Sequence, residues 1–112
     1  MTDTPREVLD RAISEEAFTR SVIALAQLCG WRVHRNWTEL HSPKGWPDLV
    51  CCREEKGVGR LVFIEAKSAR GKLSPEQAEW LSLLGRVPGV MALCIRPQDW
   101  DEVVALLQRS QA

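Results

Sequence analysis

The 112-residue sequence contains no apolar run near the ~20 residues needed to cross a bilayer, so no membrane association is expected. It has no net charge: fifteen Lys and Arg balance fifteen Asp and Glu, which excludes a histone-like polycation and an acidic tail protein. Cysteine is sparse and scattered. Cys29, Cys51, Cys52 and Cys94 form no CxxC pair, and two neighbours on a strand point to opposite faces. That suits neither a disulfide framework nor a zinc knuckle, and adding His34 and His41 gives no ligand spacing. Buried free thiols in a reducing compartment are expected instead. Repeats, linkers, low-complexity segments and a Gly-rich phosphate loop are all missing. The opening MTDTPREVLDR mixes acid and base, so no signal peptide is expected and a cytoplasmic location is.

What remains is an ordinary globular composition, 45% hydrophobic and 27% charged, of a length suited to one domain over residues 1–112. Thr4-Pro5-Arg6-Glu7 has the form of a capping box, and Ser14 before Glu15 and Glu16 offers a second helix start; one helix or two is open. Phe18, Val22, Leu25 and Cys29 then form an apolar stripe stopped by Gly30. Alternation predicts strands at 31–37, 48–53 and 60–67, with 54–59 as the turn of a hairpin. Ser74-Pro75-Glu76-Gln77 starts a helix that stops near Gly85. The apolar run 90–95 reads as a strand covered on both faces, and Asp99 caps a last helix bearing Trp100, Val103, Val104 and Leu107. The order α-β-β-β-α-β-α, with a parallel crossover between the last two strands, predicts an α/β fold around a mixed sheet.

Several polar residues sit where apolar neighbours set the environment. Strand 60–67 carries Leu61, Phe63, Glu65 and Lys67 on one face and Val62, Ile64 and Ala66 on the other. Both faces begin as core, so Glu65 and Lys67 need partners. They could simply pair with each other at the sheet's end. Asp48 opens the neighbouring strand after Gly45-Trp46-Pro47 and could equally be a turn residue bonded to its own backbone. If the strands pair, Asp48 and Glu65 share a face, and two close carboxylates stay ionised only with a cation between them. Oxygen donors favour Mg²⁺ or Mn²⁺. At 100° per residue, Glu15 lies about 20° from Val22, inside the stripe, whereas Glu16 lies about 120° away. Gln77 either completes its capping box or reaches the acids.

These residues resemble a known family. Gly45-Trp46-Pro47-Asp48-Leu49, Ile64-Glu65-Ala66-Lys67 and Leu73-Ser74-Pro75-Glu76-Gln77 with Trp80 are similar to motifs of the VRR-NUC (virus-type replication-repair nuclease) domain, in the PD-(D/E)xK nuclease superfamily. Glu15-x-x-Phe18, Leu25-Ala26…Gly30-Trp31 and Arg96-Pro97…Trp100 extend the likeness over about residues 14–107. The resemblance implies a restriction-endonuclease-like α-β-β-β-α-β core. It implies a Mg²⁺- or Mn²⁺-dependent DNA endonuclease of phage-type replication and repair, in the cytoplasm of a bacterial or phage-infected cell. Asp48, Glu65 and the Ala66 carbonyl would bind metal, Lys67 would hold or activate the attacking water, Glu15 would complete the acidic site, and Gln77 matches a family glutamine. Stand-alone members look self-associating, which leaves a homodimer open.

Charge supports a polyanionic partner. Residues 32–72 carry nine Lys and Arg against five Asp and Glu, a local excess of four. His34, Arg35, Lys44, Arg70 and Lys72 are candidate phosphate contacts, and Trp46 and Trp37 candidate stacking residues. Trp46 could instead pack beneath its loop. The alternative of another class is a nucleic-acid-binding or scaffold domain that keeps this fold without cleaving.

Overall fold

A computed structural model describes residues 2–36 and 43–109. Trp37 and His41 lie outside the described residues. Two helices open the chain, α1 (Pro5–Ala12) and α2 (Glu15–Leu28), each started by its own cap: the Thr4 hydroxyl accepts from Glu7 N–H, and the Ser14 hydroxyl from Ala17 N–H. Strands β1 (Arg32–Arg35), β2 (Leu49–Glu55) and β3 (Val58–Ala66) follow, then α3 (Pro75–Leu84), β4 (Val90–Ile95), a 3-10 turn (Pro97–Asp99) and α4 (Trp100–Gln108).

The sheet runs β1-β2-β3-β4, antiparallel across the first two pairings and parallel across the last, so it is mixed as predicted. The β2–β3 turn is tighter than expected. It has two residues, Lys56 (φ 50°) and Gly57 (φ 81°), both left-handed, which extends both strands inward from 54–59. This pair of dihedral signs matches the strand twist, and Lys56 holds it without glycine's freedom.

One sheet face carries Leu49, Cys51, Val62, Ile64, Ala66 and Ile95, packed with Phe18, Val22 and Ala26 of α2 and Val103 and Leu107 of α4. The buried row of α2 therefore runs at every fourth residue through Ala26, while Leu25 and Cys29 are only half-buried. The opposite face carries Val50, Phe63 and Ala92 and is covered by α3, whose Gly85 lies over Ala92. Helices thus flank the sheet on both sides.

Three expectations need correction. β4 is an edge strand and is half-buried along most of its length, not covered on both faces. Asp99 does not cap α4; its Oδ2 accepts from the Arg96 N–H and caps the preceding 3-10 turn. Of the cysteines, all free, Cys51 alone is fully buried, while Cys52, facing the other way, is exposed.

Candidate active site

The site is built by the residues that deliver Asp48. Gly45 has φ +88°, and a Cβ there would lie 2.5 Å from the Glu76 carbonyl carbon and 2.7 Å from Gln77 N, so the loop can lie on the first turn of α3 only with glycine. Trp46 packs edge-on against Phe63 (5.5 Å between centroids) and Trp80 (4.9 Å), and Trp80 Nε1 donates to the Lys44 carbonyl at 3.2 Å. Pro47 is fully buried. Four consecutive residues are thereby pinned to α3 and β3, and Asp48 enters the sheet in fixed register.

That register pairs Leu49 with Ile64, which sets Asp48 opposite Glu65 one step further along. Asn36 N–H donates to the Asp48 carbonyl at 2.8 Å, and Glu65 pairs with Cys94. Side chains alternate, so Asn36, Asp48, Glu65 and Cys94 form one row across the sheet at the C-terminal end of β3 and β4. Asn36 and Cys94 escaped the sequence reading; only knowledge of the register could have found them.

Glu65 is 2% exposed, and its Oε1 has no hydrogen-bond partner among the described residues. Burial, reinforced by the facing Asp48 carboxyl, pushes its pKa up to about 8, against an opposing pull from Lys67. Lys67 Nζ lies 3.8 Å from Glu65 Oε2, too far for a good hydrogen bond but close enough to act as a counter-charge. Without a cation the Glu65 carboxyl is therefore held mostly protonated at neutral pH. An unpartnered buried oxygen, a second carboxyl and hard oxygen donors fit a divalent cation. Among the described residues no group of three or more His, Cys, Asp or Glu side chains converges as a metal cluster, so the protein's side-chain donors there are these two acids.

Other predicted residues lie elsewhere or have other partners. Glu15 is exposed at the head of α2, not in the buried stripe, because burial on that helix begins at Phe18 and the first turn projects past the core. Its neighbour Glu16 is not merely solvated: it accepts from Arg35 through both oxygens and from Arg20. These guanidinium contacts hold the Glu16 carboxyl below its ordinary range and occupy Arg35. Gln77 completes its capping box, Oε1 accepting from Ser74 N–H at 2.8 Å. Trp46 is packed in the aromatic cluster, the loop-supporting alternative. His34, Lys44, Arg70 and Lys72 are exposed, with Lys44 3.4 Å from Glu76. A cleft of about 600 Å³ lies between α1, α2 and the 3-10 turn, and includes none of the predicted site residues.

The model of the VRR-NUC domain family matches residues 5–95, from the start of α1 to the end of β4. The match takes in α1 and stops before Arg96. No curated protein and no solved structure matches the chain.

Proposed function

The chain belongs to the VRR-NUC family, a nuclease-type domain, and on that premise we propose that it is a Mg²⁺- or Mn²⁺-dependent DNA endonuclease acting on structured or branched DNA. The observation that carries this reading is the Glu65 carboxyl, 2% exposed and short of a donor, set opposite Asp48 and beside Lys67. A purely structural site gains nothing from two facing acids in the core, since each opposes the ionisation of the other.

Asp48 and Glu65 are the side chains that would hold the ion, with the Ala66 carbonyl as a further oxygen. A bound divalent ion supplies Lewis-acid polarisation of a phosphoryl oxygen and a water of lowered pKa. Lys67 supplies a positive charge 3.8 Å from Glu65, where it can hold the attacking water and stabilise charge growing on the phosphate. Because the side chains of Lys67 and Glu65 are 14% and 2% exposed, that charge is less screened than one at the surface. Glu15, exposed at the head of α2 and not grouped with these two acids, would serve as a further acid only where substrate or metal draws it toward them. Gln77, whose amide N–H groups have no partner among the described residues, would orient groups from α3.

The test is cleavage of a panel of linear, flapped and junction DNAs with Mn²⁺. Lys67→Ala should lower kcat about 10²–10³-fold, the usual loss of a transition-state charge partner. Glu65→Gln and Asp48→Asn should fall to background with the fold intact. Cleavage that persists in EDTA, or in Glu65→Gln, overturns the assignment.

A further inference from the structure

We propose that Arg11 and Arg70 form a second phosphate subsite, which holds a backbone phosphodiester flanking the one that is cut; this rests on the nuclease reading above. A cleft of about 250 Å³ is lined by Arg11, Ser68, Ala69 and Arg70. A neighbouring cleft of about 260 Å³ shares Arg11, Ala69 and Arg70. The turn forming one wall starts directly after Lys67 and is closed by Gly71 N–H donating to the Ser68 carbonyl at 3.0 Å. It folds back on the catalytic strand: a Cβ at Gly71 would lie 3.1 Å from Lys67 Cβ. A phosphate in the cleft is therefore held by a turn joined to the proposed catalytic lysine.

The turn is also rigidly presented. Arg96 donates from Nε (3.1 Å) and Nη2 (2.8 Å) to the Gly71 carbonyl, and Gln98 Nε2 donates to the Ala69 carbonyl at 3.0 Å. Two carbonyls that could repel an anion are thus taken up by side chains of the segment after β4. Arg70, exposed, has no hydrogen-bond or ion-pair partner among the described residues. Arg11 uses Nη2 on Asp3 and keeps further donors. The acids of the neighbouring cleft are already engaged, Glu7 with the Thr4 cap and Asp10 with Arg6 at 3.1 Å. Two guanidinium groups across a small cleft suit the bidentate geometry of a phosphodiester.

The probe is a fluorescein-labelled DNA hairpin, with binding followed by anisotropy in Ca²⁺ over a salt series. Each lost phosphate contact lowers the salt slope by about 0.9, so Arg11→Ala and Arg70→Ala should each do so and together weaken binding about tenfold. Arg86→Ala, exposed beyond the far end of α3, is the charge-matched control and should leave the slope unchanged. Should the alanine pair unfold, Arg11→Gln with Arg70→Gln repeats the measurement. A double variant indistinguishable from Arg86→Ala overturns the subsite while wild-type hydrolysis of bis-para-nitrophenyl phosphate with Mn²⁺ leaves the nuclease standing. A wild type that neither hydrolyses this ester nor binds the hairpin removes both.

Discussion

Two charges are sunk into the same β2–β3 hairpin, and they are treated in opposite ways. Arg53, on the face of Leu49 and Cys51, donates to the carbonyls of Cys29 and Leu107 at 2.8 and 2.9 Å and to Arg109 at 3.0 Å, and pairs with Glu55. Its guanidinium stacks on Trp31, 4.4 Å from the ring centroid, and of its nitrogens only Nε lacks a partner among the described residues. One cation thereby closes the C-terminal ends of both α2 and α4, where helix dipoles favour positive charge. Glu65, at the other end of β3, has a counter-charge at 3.8 Å and an oxygen left bare. A saturated charge holds structure together; an unsaturated one is waiting for something outside the chain.

The sharpest way to break this contrast is to remove each charge and read stability. Arg53→Met takes its donor from the Cys29 and Arg109 carbonyls, leaves Leu107 to Trp31 Nε1, removes the ion pair to Glu55, and should cost about 3 kcal/mol in urea unfolding. Glu65→Gln should cost far less. A metal-free Glu65 titrates near 8 when folded against an ordinary value of 4.5, so the folded state binds more protons between those values and loses stability as pH rises through them. Urea midpoints across that range should fall for the wild type and stay flatter for Glu65→Gln, and equal slopes would undo the account of the acid pair. At the upper end, Mn²⁺ should raise the wild-type Tm and leave the variant unmoved. The smallest effect lies at the hairpin's own turn, where Lys56→Asn should stabilise by about 1 kcal/mol, because asparagine tolerates the left-handed backbone better.

Much of the molecule could be read before any coordinates. Caps at Thr4, Ser14 and Ser74 marked helix starts because side-chain oxygens there meet orphan N–H groups, a rule local to a few residues. The two faces of β3 followed from alternation, and the placing of Asp48 beside Glu65 followed once strand pairing was assumed. What stayed hidden depends on tertiary depth. A helical wheel gave Glu15 a direction but could not show that the first turn of α2 overshoots the core. The Lys56 turn was masked because lysine is an uncommon choice for a positive φ. Arg53 did leave a signal, a cation at every-other-residue spacing from Leu49 and Cys51, but not the identity of its acceptors. The strap from Arg96 and Gln98 to the Ser68–Gly71 turn joins residues distant in sequence, and only packing reveals it.

The two-residue turn at Lys56 and Gly57 has a reach well beyond its own location. It sets which residue of β2 faces which residue of β3, and a slip of one position would swing Asp48 to the opposite side of the sheet. An insertion or deletion at that distant, solvent-washed tip, touching no acid at all, is then equivalent to deleting half of the chemistry. Tolerance of length change at hairpin tips, common in most folds, should be missing from this one.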